Sequence, residues 1–169
     1  MVNRKRILII GVPGVGKTTV SALVADALGV PHHTELFEDN PYMHDGTPLQ
    51  ITNYQISTMV KQYNENSYGV FEVSPDFSSR IFLDDNDYNL IDIPKLEYDL
   101  RILLTASEET IIDRIVHRDR PGLVETELIE QKIRYQRLLK YVDGYDGITI
   151  DTSLLTPSQI VDIIKGMND

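Results

Sequence analysis

Eight residues near the N-terminus, Gly11-Val12-Pro13-Gly14-Val15-Gly16-Lys17-Thr18, satisfy the pattern G-x-x-x-x-G-K-[ST] at every position. Glycines at these places let the backbone curl until several N–H groups face one centre, which is a nest for a phosphate. Lysine adds a cation on a long stem that reaches β- and γ-phosphates, and threonine offers a hydroxyl to Mg²⁺. The run therefore predicts a P-loop in which Gly11, Gly14, Val15, Gly16, Lys17, Thr18 and Thr19 hold ATP, with Mg²⁺ on Thr18. An acid for the metal should come from the end of a neighbouring strand, and Glu72 in Val70-Phe71-Glu72 is the candidate. Asp84, Asp85 and Asp87 are rivals, although such a cluster also suits a solvated turn.

Arg114, Arg118 and Arg120 form a second group with chemistry in it. Arg114 and Arg118 are four apart and share one helix face, while Arg120 stands beside Pro121-Gly122, where a helix should stop. Arginine keeps its charge and binds phosphate oxygens in pairs through a planar fork. This spacing suits a lid at about residues 117–125, with Arg118 and Arg120 on the transferring phosphoryl group and Arg114 at the nucleotide. A surface helix pairing with Asp113, Glu125 or Glu127 is the competing reading.

These groups need a frame. Strand-like runs at Arg6–Ile10, Pro31–Thr34, Gly69–Val73, Leu100–Leu104 and Gly147–Ile150 alternate with helical stretches, which predicts an α/β fold. The expected architecture is three-layered, with a five-stranded parallel sheet in the order 2-3-1-4-5 and helices on both faces. The domain should be single, spanning residues 1–169, with a helix-rich insertion between the second and third strands. Thr47-Pro48-Leu49-Gln50 and Thr156-Pro157-Ser158-Gln159 read as capping boxes with proline at the first helical position. Thr105-Ala106-Ser107-Glu108 reads as another, and Ser74-Pro75 as a further cap. Apolar stripes at Val20, Leu23, Val24 and Ala27, at Ile111, Ile112, Ile115 and Val116, and at Ile129, Ile133 and Val142 are assigned to the core.

With 41% hydrophobic residues in 169, the chain can bury a core without a staple, and with no cysteine it has no disulfide or thiolate metal site. Absence of disulfides suits the cytoplasm. The net charge of −10 argues against nucleic acid or an anionic membrane as partner, and Ile7–Ile10 is far too short to span a bilayer. His32-His33, His44 and His117 do not have the spacing of a zinc cage.

Taken together, the motifs resemble the deoxynucleoside kinases. Glu35-Leu36-Phe37-Glu38-Asp39-Asn40-Pro41-Tyr42 looks like that family's Glu-Pro-x-x-x-Asn-Pro-Tyr, Glu72-Val73-Ser74 stands where it has Glu-Arg-Ser, and Ile81-Phe82 matches its Ile-Phe. The arginine segment is similar to its lid, and Tyr135 with Leu138-Leu139 to its Tyr-Leu-x-x-Leu helix. The resemblance implies that Glu35 takes the proton of a sugar 5′-hydroxyl, that Gln55 binds the base, and that Tyr42 lies at the substrate. It also implies a nucleoside-like acceptor, ATP and Mg²⁺, and dimerisation through helices.

The chain departs from the family at Val73, where an arginine is usual, and at Ser78, where many members carry aspartate. Lys61 or Gln62 stands near another usual arginine, and the stretch from Phe82 to Leu100 is short. Arg80, two residues after Ser78, is the expected substitute. A nucleoside-monophosphate kinase resembling thymidylate kinases, and a nucleotide-binding module without turnover, are the alternatives. Of these, the first needs extra cations at the acceptor, and the insertion offers only Lys61.

Overall fold

The computed structural model describes residues 4–34, 40–118 and 125–168. Its elements run β1 (Arg6–Ile10), α1 (Lys17–Leu28), β2 (His32–His33), α2 (Pro48–Glu65), β3 (Gly69–Phe71) and α3 (Pro75–Phe82). They continue with α4 (Asp85–Tyr88), β4 (Leu100–Thr105), α5 (Glu108–Arg118), α6 (Glu125–Gly144), β5 (Ile148–Asp151) and α7 (Pro157–Asn168). All strand pairs are parallel and the order is β2-β3-β1-β4-β5, as expected.

The central strands are the most apolar for a physical reason. A parallel strand covered on both faces needs a continuous apolar run, and Ile7, Ile9, Ile10, Ile102, Leu103 and Leu104 are wholly buried in β1 and β4. Helix α1 packs on α7, and α3 on α6, giving the two helical layers. Caps fix where the helices begin. Thr47 and Gln50 complete the box at α2, Thr156 and Gln159 exchange the same bonds at α7, and Ser74 Oγ accepts from Phe77 N at α3. At α5 the cap is Ser107, whose Oγ accepts from Thr110 N, while the Thr105 carbonyl is taken by Thr152.

Two of the expected core stripes are corrected. In α1 the buried line runs through Val20, Ser21, Val24 and Ala25, because small side chains let the helix approach its neighbours, and Leu23 and Ala27 are exposed. In α6 the buried line centres on Leu138, with Tyr135, Tyr141 and Val142 packed beside it. At about 100° per residue, Val142 is turned only about 40° from Leu138, whereas Ile133 and Ile129 are turned about 140° and 180°. Ile129 and Ile133 are accordingly 51% and 44% exposed. No helix among the described residues is long and apolar enough to cross a membrane.

Candidate phosphate and acceptor site

Strand β1 delivers the chain to the loop at its C-terminal end, beside the ends of β3 and β4. Gly14 and Gly16 adopt φ of 88° and 94°, the left-handed region in which a side chain is strained. Gly16 caps α1 without any side-chain hydrogen bond, so the helix's first N–H groups remain for an anion at the loop. Thr18 and Thr19 are exposed in the first turn of α1, and Lys17 opens it.

Helix α5 holds this loop from behind. A Cβ on Gly14 would come 2.9 Å from Ile115 Cγ1 and 3.0 Å from the Ile111 carbonyl, so only glycine fits there. Arg114 Nη1 donates to the Val15 carbonyl at 3.1 Å and to Thr152 Oγ1 at 3.0 Å, and Nη2 donates to the Thr152 carbonyl at 3.0 Å. Thr152 Oγ1 lies 3.1 Å from the same Val15 carbonyl. Arg114 thus binds the loop's backbone and the chain after β5, where it neutralises carbonyl dipoles behind the phosphate nest.

A small cavity of about 50 Å³ opens beside the loop, lined by Gly11, Lys17, Glu72, Val73, Phe77, Ser78 and Phe82 among others. Glu72 directly follows β3 and is 2% exposed, and its Oε1 accepts a hydrogen bond from His32 Nε2 at 3.0 Å. Glu72 and Lys17 each make a further interaction. The chain therefore brings the phosphate lysine and the expected metal acid to one cavity, and Thr18 stands next to that lysine. A hydroxyl and a carboxylate are hard oxygen donors suited to Mg²⁺, which completes its shell with water and phosphate oxygens. No group of three or more metal-binding side chains forms among the described residues.

Other expected site residues do not line this small cavity. Gln55 is buried on the inner face of α2 with Thr52, Ile56 and Met59, and α2 packs against α3. Tyr42 is 40% exposed, its ring edge-on to Tyr54 and its backbone N–H bonded to Asn40 Oδ1. Arg80 does not join the site. It lies on the outer side of α3, its guanidinium 3.5 Å over the Tyr88 ring, in a separate cavity of about 340 Å³ with Arg101, Arg137 and Tyr141. Val73 and Ser78 thus face the P-loop cavity without Arg80. The Asp84 cluster is a capped surface turn, Asp84 Oδ1 accepting from Asp87 N. Glu35 and Arg120 lie outside the described residues, as do 119–124 of the expected lid; Arg118 is the last residue of α5, and its side chain is likewise outside the description.

Sequence reasoning missed two participants. Thr152, buried behind the loop, carries no motif, and only its position just after the last strand hints at it. His32 belongs to no motif; the signal for it is strand register, since His32 pairs with Val70 and so shares its face with Glu72.

In three dimensions the chain is similar to a deoxyadenosine kinase from M. mycoides with bound dATP, at TM-score 0.74 and 23% identity, over 96% of this chain and 98% of that one. A gluconokinase from Sinorhizobium meliloti 1021 superposes at TM-score 0.59 and 17% identity, covering 94% and 88% of the two chains. These likenesses establish the fold. In sequence, the chain is 25% identical over 169 residues to an adenylate kinase of Nocardia farcinica (strain IFM 10152), covering 86% of this chain and 88% of that one. Residues 7–134 match the AAA_18 family model, an AAA domain, and with that match over most of its length the chain belongs to this family of P-loop kinase domains.

Proposed function

We propose that the chain transfers the γ-phosphoryl group of ATP to the 5′-hydroxyl of a nucleoside-like acceptor. The observation that carries this reading is the shared cavity, in which Lys17 and Glu72 meet a wall of Val73, Phe77, Ser78 and Phe82. At about 50 Å³ the cavity takes only the reacting end of an acceptor, and an apolar wall with one hydroxyl suits an uncharged end better than an anionic one. In the proposed step the acceptor oxygen attacks the γ-phosphorus, the new O–P bond forms as the bond to the β-phosphate oxygen breaks, and ADP leaves. Glu35 takes the hydroxyl proton, and Arg118 and Arg120 face the charge spread over the equatorial oxygens. Lys17 and the loop's N–H groups hold the donor phosphates. Thr18 and Glu72 would hold Mg²⁺, which neutralises charge on the β- and γ-phosphates when bound.

Similarity to an adenylate kinase favours a second reading, in which the acceptor is a nucleoside monophosphate. Val73 and the outward Arg80 weigh against it, because neither puts a cation at the cavity wall. The deciding experiment is ADP release from Mg²⁺-ATP against a panel of nucleosides and nucleoside monophosphates, with Glu35→Gln in parallel. Stimulation by a nucleoside, lost in Glu35→Gln while ATP still binds, is the expected result. Stimulation by a monophosphate alone moves the assignment to the second reading. ATP binding with no stimulation by any acceptor leaves a nucleotide-binding module and overturns the kinase proposal for these substrates.

A further inference from the structure

Strand β2 consists of only two residues, both histidines, and each imidazole has a definite partner. The His33 ring tilts against Phe71 at a centroid distance of 4.6 Å, and its Nε2 donates to the Tyr68 carbonyl at 2.9 Å. That histidine fastens the edge strand. His32 points to the opposite face, as successive strand residues must. Its Nε2 meets Glu72 Oε1 at 3.0 Å, and only 2% of Glu72 is exposed. A carboxylate accepts and does not donate, so Nε2 carries the hydrogen of this bond.

We infer that His32 is a positioning residue for Glu72, holding one carboxylate oxygen on the edge strand so that the acid keeps a fixed orientation at the P-loop cavity. This rests on the reading of Glu72 as the Mg²⁺ acid of the proposed kinase. A glutamate side chain has three rotatable torsions, and strand β3 ends one residue before it, so backbone pairing does not hold it. A partner outside the first shell of a metal fixes the ligand's orientation, and losing one typically weakens metal affinity about 10–100-fold. Glu72 is buried beside Val70 and Phe71, where a mis-turned carboxylate would find little solvent to replace the lost bond.

Binding of a fluorescent ATP analogue, titrated with Mg²⁺ and without any acceptor, tests this apart from turnover. His32→Val, a good strand former, is expected to raise the Mg²⁺ concentration for half-maximal binding by about tenfold or more. His32→Gln, whose Nε2 stands the same number of bonds from Cβ as the imidazole Nε2, should stay within about threefold of the parent. Long-range proton–nitrogen NMR of the unliganded protein should show His32 with its hydrogen on Nε2. Equal shifts in the two variants, no shift in either, or hydrogen on Nδ1 alone would overturn the inference. Glu72→Gln separates the levels. If it raises the Mg²⁺ requirement while His32→Val does not, His32 has no such role and the metal reading stands. If Glu72→Gln is itself silent, the metal reading of Glu72 fails and the role of His32 fails with it, whatever the acceptor panel shows.

Discussion

Arg114 shows how an arginine can serve a phosphate-binding loop by holding its backbone. Its two terminal nitrogens make three hydrogen bonds, joining the Val15 carbonyl to Thr152. A lysine has one nitrogen and no fork to span those acceptors. Arg114→Lys is therefore expected to lower ATP affinity about tenfold, and Arg114→Ala to cost about 2–3 kcal/mol of stability as well. Isothermal titration and urea melts would measure the two effects. Lys17→Met should act differently, cutting ATP binding or turnover by at least about a hundredfold with little change in the urea midpoint. At this scale the sequence was legible where chemistry fixes spacing, as in Gly14, Gly16, Lys17 and Thr18. It misled for Arg80, because residues two apart on a helix are turned about 200° and cannot share the face of Ser78. His32 could not be read, since its partner is forty positions away and only strand pairing brings them together.

The same contrast holds among the elements. The strands and the two Thr-Pro-x-Gln boxes were readable, because apolar runs and capping boxes act locally, whereas the cap of α5 is Ser107 and not Thr105. Helix orientation was less so. A stripe drawn from Ile129 and Ile133 is apolar, yet packing against α3 and α5 chose the face of Leu138. Leu138→Ala should accordingly cost about 2–5 kcal/mol, against less than about 1 kcal/mol for Ile129→Ser and Ile133→Ser, by thermal melts. The loop's glycines divide in a similar way. A Cβ on Gly16 meets nothing within 4 Å, so Gly16→Ala carries only the strain of positive φ, about 1–2 kcal/mol. Gly14→Ala adds collision with Ile111 and Ile115, and should be the less stable of the two in the same melts.

For the molecule as a whole, alkaline pH is the informative stress. Burial raises the phenols of Tyr98, Tyr141 and Tyr145 above the ordinary value of 10.0, Tyr145 to about 12. Below pH 10 these phenols are protonated whether the chain is folded or not, and their contribution to stability is fully present. As pH rises beyond 10 the unfolded chain ionises first, so stability should fall progressively towards pH 12 and above. Circular dichroism and phenolate absorbance followed together should show unfolding accompanying ionisation. Tyrosines ionising at pH 10 in a chain that stays folded would contradict the burial seen here. The sequence showed nine tyrosines without telling which would be enclosed, because elements far apart in the chain build their surroundings: Tyr141 and Tyr145 lie ring against ring with Arg101 of β4 over Tyr145, and Tyr98 packs on Phe71 of β3.

The grip of α5 on the loop has a bearing on which changes of length this chain can absorb. Ile111, Arg114 and Ile115 all reach the loop from one side of one helix, through contacts made at Gly14 and Val15. Each could be substituted singly and leave the others in place. A single residue inserted between Glu109 and Thr110 would instead rotate all three by about 100° and remove every one of those contacts at once. Inside this helix, an insertion of one residue should be far less tolerated than any one replacement.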